Sequence, residues 1–206
     1  MPGYGDRFEE IAATLRKSAA AMRDAGIEYA LGGSLAAWAR GGPESCKDLD
    51  FMVREQDAER ALEALEAVGM RRERPPEDWL VKAWDGEVLV DLIHHAAGVP
   101  VDNALLERAD QMSVLSITMR VLRLEDVITS KLLALTEHQL DYGPLLTIVR
   151  TVREQLDWEE VRARTSRSPY ARAFFSLLRE LDLGIDTVSS DVAHARGSRI
   201  RVLPPS

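Results

Sequence analysis

The 206-residue chain reads as an α/β (α+β) protein, a sheet with flanking helices followed by a small C-terminal helical bundle. Three observations predict this. Short strand-like runs alternate with amphipathic helical periods up to residue 122. Asp85-Gly86 stands between two such runs as a two-residue hairpin signal. From Glu125 to Leu181 the apolar spacing is helical throughout. The expected division is a sheet-bearing domain over 1–122, a helical domain over 123–188 and a mobile tail over 189–206. The tail has little apolar periodicity and sets Arg196, Arg199 and Arg201 against Asp191.

The elements follow in order. Phe8, Ile11, Ala12, Leu15, Ala19 and Met22 recur at helical spacing over 7–25, and Gly26 ends that helix. A short strand at 29–31 and a helix at 35–40 enclose Gly32-Gly33-Ser34. Residues 47–53 form the next strand, and 56–68 an amphipathic helix with Ala58, Ala61, Leu62, Leu65 and Val68 on one face. Arg71, Arg72 and Arg74 read as a solvated edge. Strands at 79–84 and 87–93 flank the hairpin turn, 100–109 holds a loop and short helix, and 112–124 ends the sheet. Beyond it, Asp157 caps one helix and Ser168-Pro169 opens another.

Within this frame a few residues suit phosphate and metal chemistry. A strand-to-helix turn turns backbone N–H groups toward an anion, and the glycines at 32 and 33 let a phosphate approach the backbone. Ser34 adds a hydroxyl donor. Asp48 and Asp50, two apart on a strand, project from one face while Leu49 and Phe51 turn inward. Asp91 interrupts an apolar strand, so its carboxylate has to be paired, hydrated or bound to metal. Such an oxygen donor set without His or Cys support suits Mg²⁺ or Mn²⁺, with an NTP supplying further ligands. His94 and His95 are adjacent, which in a strand points them in opposite directions and makes joint ligation of one metal unexpected. Lys131 lies mid-stripe among Leu124, Val127, Ile128 and Leu135 on a helix. Either its stem packs while its amine snorkels to water, or it reaches a triphosphate.

Gly-Gly-Ser, a helix, Asp-Leu-Asp and then a lone Asp on a later strand resemble the DNA polymerase β-like nucleotidyltransferase superfamily. Within it the chain is similar to the small bacterial enzymes that group with antibiotic nucleotidyltransferases and AbiEii-type nucleotidyltransferase toxins, over roughly residues 27–142. The resemblance implies a nucleotidyltransferase-type mixed sheet and a Mg²⁺-dependent transfer of NMP from an NTP to a hydroxyl or phosphate of an acceptor. The acceptor would be a small molecule such as an antibiotic, an RNA or a protein, and pyrophosphate would be released. Asp48, Asp50 and Asp91 would hold the metal, and Asp91 would also accept the acceptor's proton. Gly32, Gly33 and Ser34 would grip phosphates, joined by Lys131, whose surrounding pattern is matched in part by Ala134 and Asp141. Gly143-Pro144 stands where the toxin-like branch often has a second Asp. A cognate antitoxin is the partner that the toxin branch implies. The alternative is a catalytically idle nucleotide-binding or partner-binding protein that keeps the fold. The presence of all three Asp and the lysine favours the enzyme, because closely spaced like charges are costly to keep without use.

Composition sets the outer bounds. A formal net charge of -8 argues against a broad nucleic-acid-coating surface and suits a cationic substrate. Residues 1–10 carry no secretory h-region and no window approaches the roughly 20 apolar residues of a membrane span, so a cytoplasmic protein is expected. Cys46 is the sole cysteine, which leaves no internal disulfide and no Cys-based zinc site.

Overall fold

The computed structural model describes residues 4–44 and 48–183; Cys46 and the tail expected at 189–206 lie outside the described residues. The chain divides into two compact units. One runs to residue 38 and resumes over 44–123, and the other takes 39–43 and the helices from 124 on.

The first unit is built on a seven-stranded mixed sheet. Its helices and strands are α1 (Tyr4–Asp24), β1 (Tyr29–Leu31), α2 (Gly33–Ala39), β2 (Asp48–Val53), α3 (Glu55–Ala67), β3 (Arg71–Glu73), β4 (Leu80–Asp85) and β5 (Val88–Ile93). A small ribbon of β6 (His95–Ala96) and β7 (Val99–Pro100) follows, then α4 (Asn103–Arg108), β8 (Asp110–Val114) and β9 (Ile117–Val121). The strand order is β3-β4-β5-β2-β1-β9-β8, with β2–β5 and β1–β9 parallel and the remaining pairs antiparallel. This is the mixed sheet with flanking helices that the sequence predicts.

Register decides what each face carries. Leu49 and Phe51 of β2 lie opposite Val90 and Leu92 of β5, and all four are fully buried. Burying each such side chain contributes about 1.5–3 kcal/mol. Helices α1 and α3 pack on the sheet and on each other, bringing Ile11, Leu15, Met22, Leu62 and Leu65 into the core. Alternation then turns Asp48, Asp50 and Asp91 to the other face. Helix α1 is also anchored to the β4–β5 turn, where Thr14 Oγ1 and Lys17 Nζ donate to Asp85 at 3.0 and 2.6 Å.

The β4–β5 hairpin differs from the expected one. Asp85 pairs with Val88, so the two-residue turn is Gly86-Glu87 and not Asp85-Gly86. Gly86 has φ +61°, the glycine-first arrangement that favours a type II′ turn. Asp85 stays in the strand, where α1 holds its carboxylate. The basic run at 71–74 falls on edge strand β3 and just after it. There Arg72 and Arg74 are ion-paired to Glu59 and Arg72 also to Glu66, which neutralises the cluster against α3.

The second unit is helical: α5 (Leu124–Leu133), α6 (Gly143–Val152), α7 (Trp158–Thr165) and α8 (Pro169–Glu180). Asp157 caps α7 by accepting from Glu160 N–H at 3.0 Å, and Ser168 caps α8 by accepting from Ala171 N–H at 3.2 Å. Its core joins Val127, Ile128, Leu132, Val149, Val161 and Phe174. The buried carboxylates of α5 are satisfied within the unit: Asp126 by Arg164 at 2.8 Å and Glu125 by the Asp157 N–H at 3.1 Å. Among the described residues no helix is long and apolar enough to cross a membrane.

Candidate active site

The parallel pairing of β2 with β5 sets Asp50 directly opposite Asp91, with Asp48 two residues before Asp50 on the same strand. One carboxylate oxygen from each of the three lies within 4.8 Å of the others. At such separations each pair of ionised carboxylates repels by a few kcal/mol at an effective dielectric constant of about 20. The fold therefore concentrates negative charge where a cation can relieve it.

The glycine turn is fitted to this cluster. Gly32 N–H donates to the Asp50 carbonyl at 2.8 Å, which pins the turn to β2. Gly33 has φ +58°, and a Cβ built there would fall 1.6 Å from Asp50 Oδ2, 2.5 Å from its Cγ and 2.9 Å from its Cβ. Only glycine leaves room for the Asp50 side chain against the turn. Ser34 follows, half-buried, in the first turn of α2.

Asp91 is the buried member, 9% exposed. Lys82 Nζ on β4, its cross-strand partner, stands 3.2 Å from Asp91 Oδ1. The two form an ion pair across the β4–β5 ladder. Burial pushes the Asp91 carboxyl above its ordinary range, Lys82 works against this, and Asp48 and Glu73 add to it. An all-oxygen donor set of three converging carboxylates fits a hard divalent cation.

Lys82 was not among the residues that the sequence singled out. The signal was the hairpin: a turn at Gly86-Glu87 pairs Lys82 with Asp91, whereas a turn at Asp85-Gly86 would pair it with Leu89. The adjacent histidines also depart from expectation. His94 and His95 do not diverge; their Nδ1 atoms face each other at 2.9 Å.

In the second unit Lys131 is half-buried in the last turn of α5, which ends at Leu133, so Leu135 lies beyond the helix and outside the expected stripe. Asp141 has a local role. Its Oδ1 accepts from Gly143 N–H at 2.8 Å at the start of α6.

A mixed sheet that brings three carboxylates beside a glycine turn is the arrangement that the resemblance to nucleotidyltransferases implies. The chain belongs to the family described as nucleotidyl transferase of unknown function (DUF2204), whose sequence model matches residues 11–172. Its fold is similar to that of the antibiotic-resistance factor ANT(2'')-Ia in solution, with TM-score 0.58 and 17% identity, covering 83% of this chain and 96% of that one. The crystal structure of ANT(2'')-Ia with adenylyl-2''-tobramycin gives TM-score 0.57 and 15% identity over 79% of this chain and 98% of that one. A candidate nucleotidyltransferase from Thermotoga maritima gives TM-score 0.50 and 17% identity over 60% and 84%. No curated protein is similar to the chain in sequence.

Proposed function

We propose that this nucleotidyltransferase moves NMP from an NTP to a hydroxyl of a small acceptor, releases pyrophosphate and depends on Mg²⁺ or Mn²⁺. The observation that carries the reading is the three-carboxylate cluster beside a glycine turn whose Gly33 leaves no room for a Cβ against Asp50. ANT(2'')-Ia, crystallised with adenylyl-2''-tobramycin, supports a small hydroxylated acceptor, and the net charge of -8 suits a cationic one.

Asp48, Asp50 and Asp91 would hold the cation, which when bound neutralises phosphate oxygens and acts as a Lewis acid. Gly32, Gly33 and Ser34 would bind phosphate oxygens through backbone N–H groups and the Ser34 hydroxyl. The acceptor oxygen forms a bond to the α-phosphorus as the bond from that phosphorus to the bridging oxygen breaks, and the electron pair leaves with pyrophosphate. The acceptor's proton passes to Asp91. In the metal-free chain burial raises the proton affinity of this carboxyl, and a bound cation would act in the opposite direction. Lys131 would add positive charge at the triphosphate, as the resemblance implies.

The test is incubation with each labelled NTP, Mg²⁺ and either an aminoglycoside or cell extract. The expected result is label on one acceptor and an equal amount of pyrophosphate. Asp48→Asn with Asp50→Asn should abolish both. In isothermal titration with NTP and with NMP, Lys131→Met should weaken NTP binding by about 1.5–3 kcal/mol and leave NMP binding nearly unchanged. Label transfer that survives the double Asp substitution would sink the proposed site.

A further inference from the structure

A second cluster of metal-ligating side chains exists among the described residues, away from the carboxylate triad. It joins Glu55 in the first turn of α3, His94 where β5 ends and His95 in β6, with donor atoms within 4.8 Å of one another. The backbone creates it. The N–H groups of His94 and His95 both donate to the Trp79 carbonyl, at 3.0 and 3.1 Å, while the His94 carbonyl accepts from Val101 N–H at 2.8 Å. Two successive N–H groups on one acceptor break the alternation of the strand, so the two side chains turn toward each other. The rings meet edge to face, 76° apart, with Nδ1 2.9 Å from Nδ1.

His94 is 7% exposed. Burial and the neighbouring His95 lower its affinity for a proton, which keeps a ring lone pair available near neutral pH, while Glu55 and Asp78 supply negative potential around it. A single proton can join the two Nδ1 atoms, but a cation satisfies both lone pairs and the nearby carboxylate together.

We propose that Glu55, His94 and His95 form a second divalent-cation site, suited to a borderline-soft ion such as Zn²⁺ and distinct from the carboxylate site in its donor chemistry. Two ligands each about 2.0–2.1 Å from one Zn²⁺ can stand no more than roughly 4 Å apart, and the imidazole pair at 2.9 Å is inside that limit. Glu55 Oε2 lies 4.0 Å from Nε2, the ring nitrogen of His95 that does not face His94, and its side chain is 72% exposed, so it has to swing from the Nε2 side to the Nδ1 side of the ring to complete the set. Two nitrogens and one oxygen form a set that zinc uses when it keeps a further position open, whereas Mg²⁺ takes oxygen ligands. A bound ion would staple the end of β5 to the start of α3. The site does not rest on the nucleotidyl-transfer reading.

The experiment is titration of the full chain with Zn²⁺ in saturating Mg²⁺, read by calorimetry and by the melting temperature. One equivalent should bind and raise the melting temperature. His95→Gln should weaken Zn²⁺ binding at least tenfold and Glu55→Gln several-fold. Both substitutions spare buried His94, so the fold is not put at risk. Asp48→Asn with Asp50→Asn should leave Zn²⁺ binding intact. Equal affinity in the wild type and His95→Gln, no Zn²⁺ uptake by the wild type, as for a pair that only shares a proton, or loss of uptake in the double Asp variant would overturn the site. Unchanged affinity in Glu55→Gln would remove the third ligand and with it the site as proposed.

Discussion

Asp91 and His94 are three residues apart on one stretch of chain, yet their clusters are assembled by opposite devices. The carboxylates meet because β2 and β5 stay in register and opposite residues share a face. The histidines meet because the chain leaves register, with two successive N–H groups drawn to the Trp79 carbonyl. The first cluster contains its own cation, Lys82, and is tightened by a glycine turn. The second has an exposed glutamate as its movable member. Regular pairing makes a site of like charges, and a broken strand makes a corner of two imidazoles and one carboxylate. The two should therefore respond independently to substitution, metal and pH.

The sharpest way to separate them is Gly33→Ala. A side chain at φ +58° costs about 1–3 kcal/mol in backbone strain alone. The new Cβ also overlaps Cβ, Cγ and Oδ2 of Asp50, so the whole Asp50 side chain must move. Transfer activity should fall at least 100-fold, with a stability loss of about 2 kcal/mol or more in urea denaturation. The Zn²⁺ response of the histidine corner should persist. Near-normal turnover would mean that Asp50 does not work from the position against the glycine turn.

The same contrast explains what the sequence could disclose. Asp48, Asp50 and Asp91 were legible because strand alternation needs only local spacing, and Leu49 and Phe51 mark the inner face of β2. The helices of the second unit were legible from Asp157 and Ser168, whose caps form as expected. Lys82 was not legible, because its partner depends on the hairpin turn. Asp-Gly suggested a turn one residue earlier than the one that forms, and its register would have set Lys82 against Leu89. The facing of His94 and His95 was hidden for a related reason. It depends on hydrogen bonds to Trp79 and Val101, which no local pattern encodes. The end of α5 at Leu133, two residues short of Leu135, is likewise a boundary that periodicity leaves loose.

Lys82→Met sharpens the comparison at a smaller scale. It removes the ammonium 3.2 Å from Asp91 and leaves three carboxylates without it. The metal-free protein should lose about 1 kcal/mol, a drop of roughly 2–4 °C in melting temperature for a chain of this length. The rise on adding Mg²⁺ should then exceed that of the wild type, since the cation relieves more repulsion. Melting curves in chelator and in Mg²⁺ provide the check, with His95→Gln as a comparator whose Mg²⁺ response should match the wild type. An unchanged Mg²⁺ increment in Lys82→Met would mean that Lys82 does not balance the cluster.

The smallest effect is in the pH dependence of the metal-free protein, where the two clusters pull in opposite directions. Asp91 takes up its proton more readily in the folded chain than in the unfolded one, chiefly because it is buried. Below about pH 4 the group is protonated in both states, and its contribution is fully present. As pH rises through its elevated folded value, the unfolded chain ionises more easily and that contribution is lost. His94 is the reverse: burial lowers its proton affinity, so its contribution is present above the ordinary histidine range and is lost as pH falls. The wild type therefore combines a loss and a gain over the same acid-to-neutral span. Asp91→Asn removes only the loss, because an amide does not ionise. The attraction of Lys82 for the ionised carboxylate is already part of the net rise in Asp91's proton affinity, so it weakens the slope without reversing it, and the slope is the readout. Urea denaturation in chelator from pH 4 to 7 should show Asp91→Asn gaining on the wild type as pH rises. Parallel curves would mean that Asp91 titrates alike in the folded and unfolded chains and that burial does not raise its proton affinity.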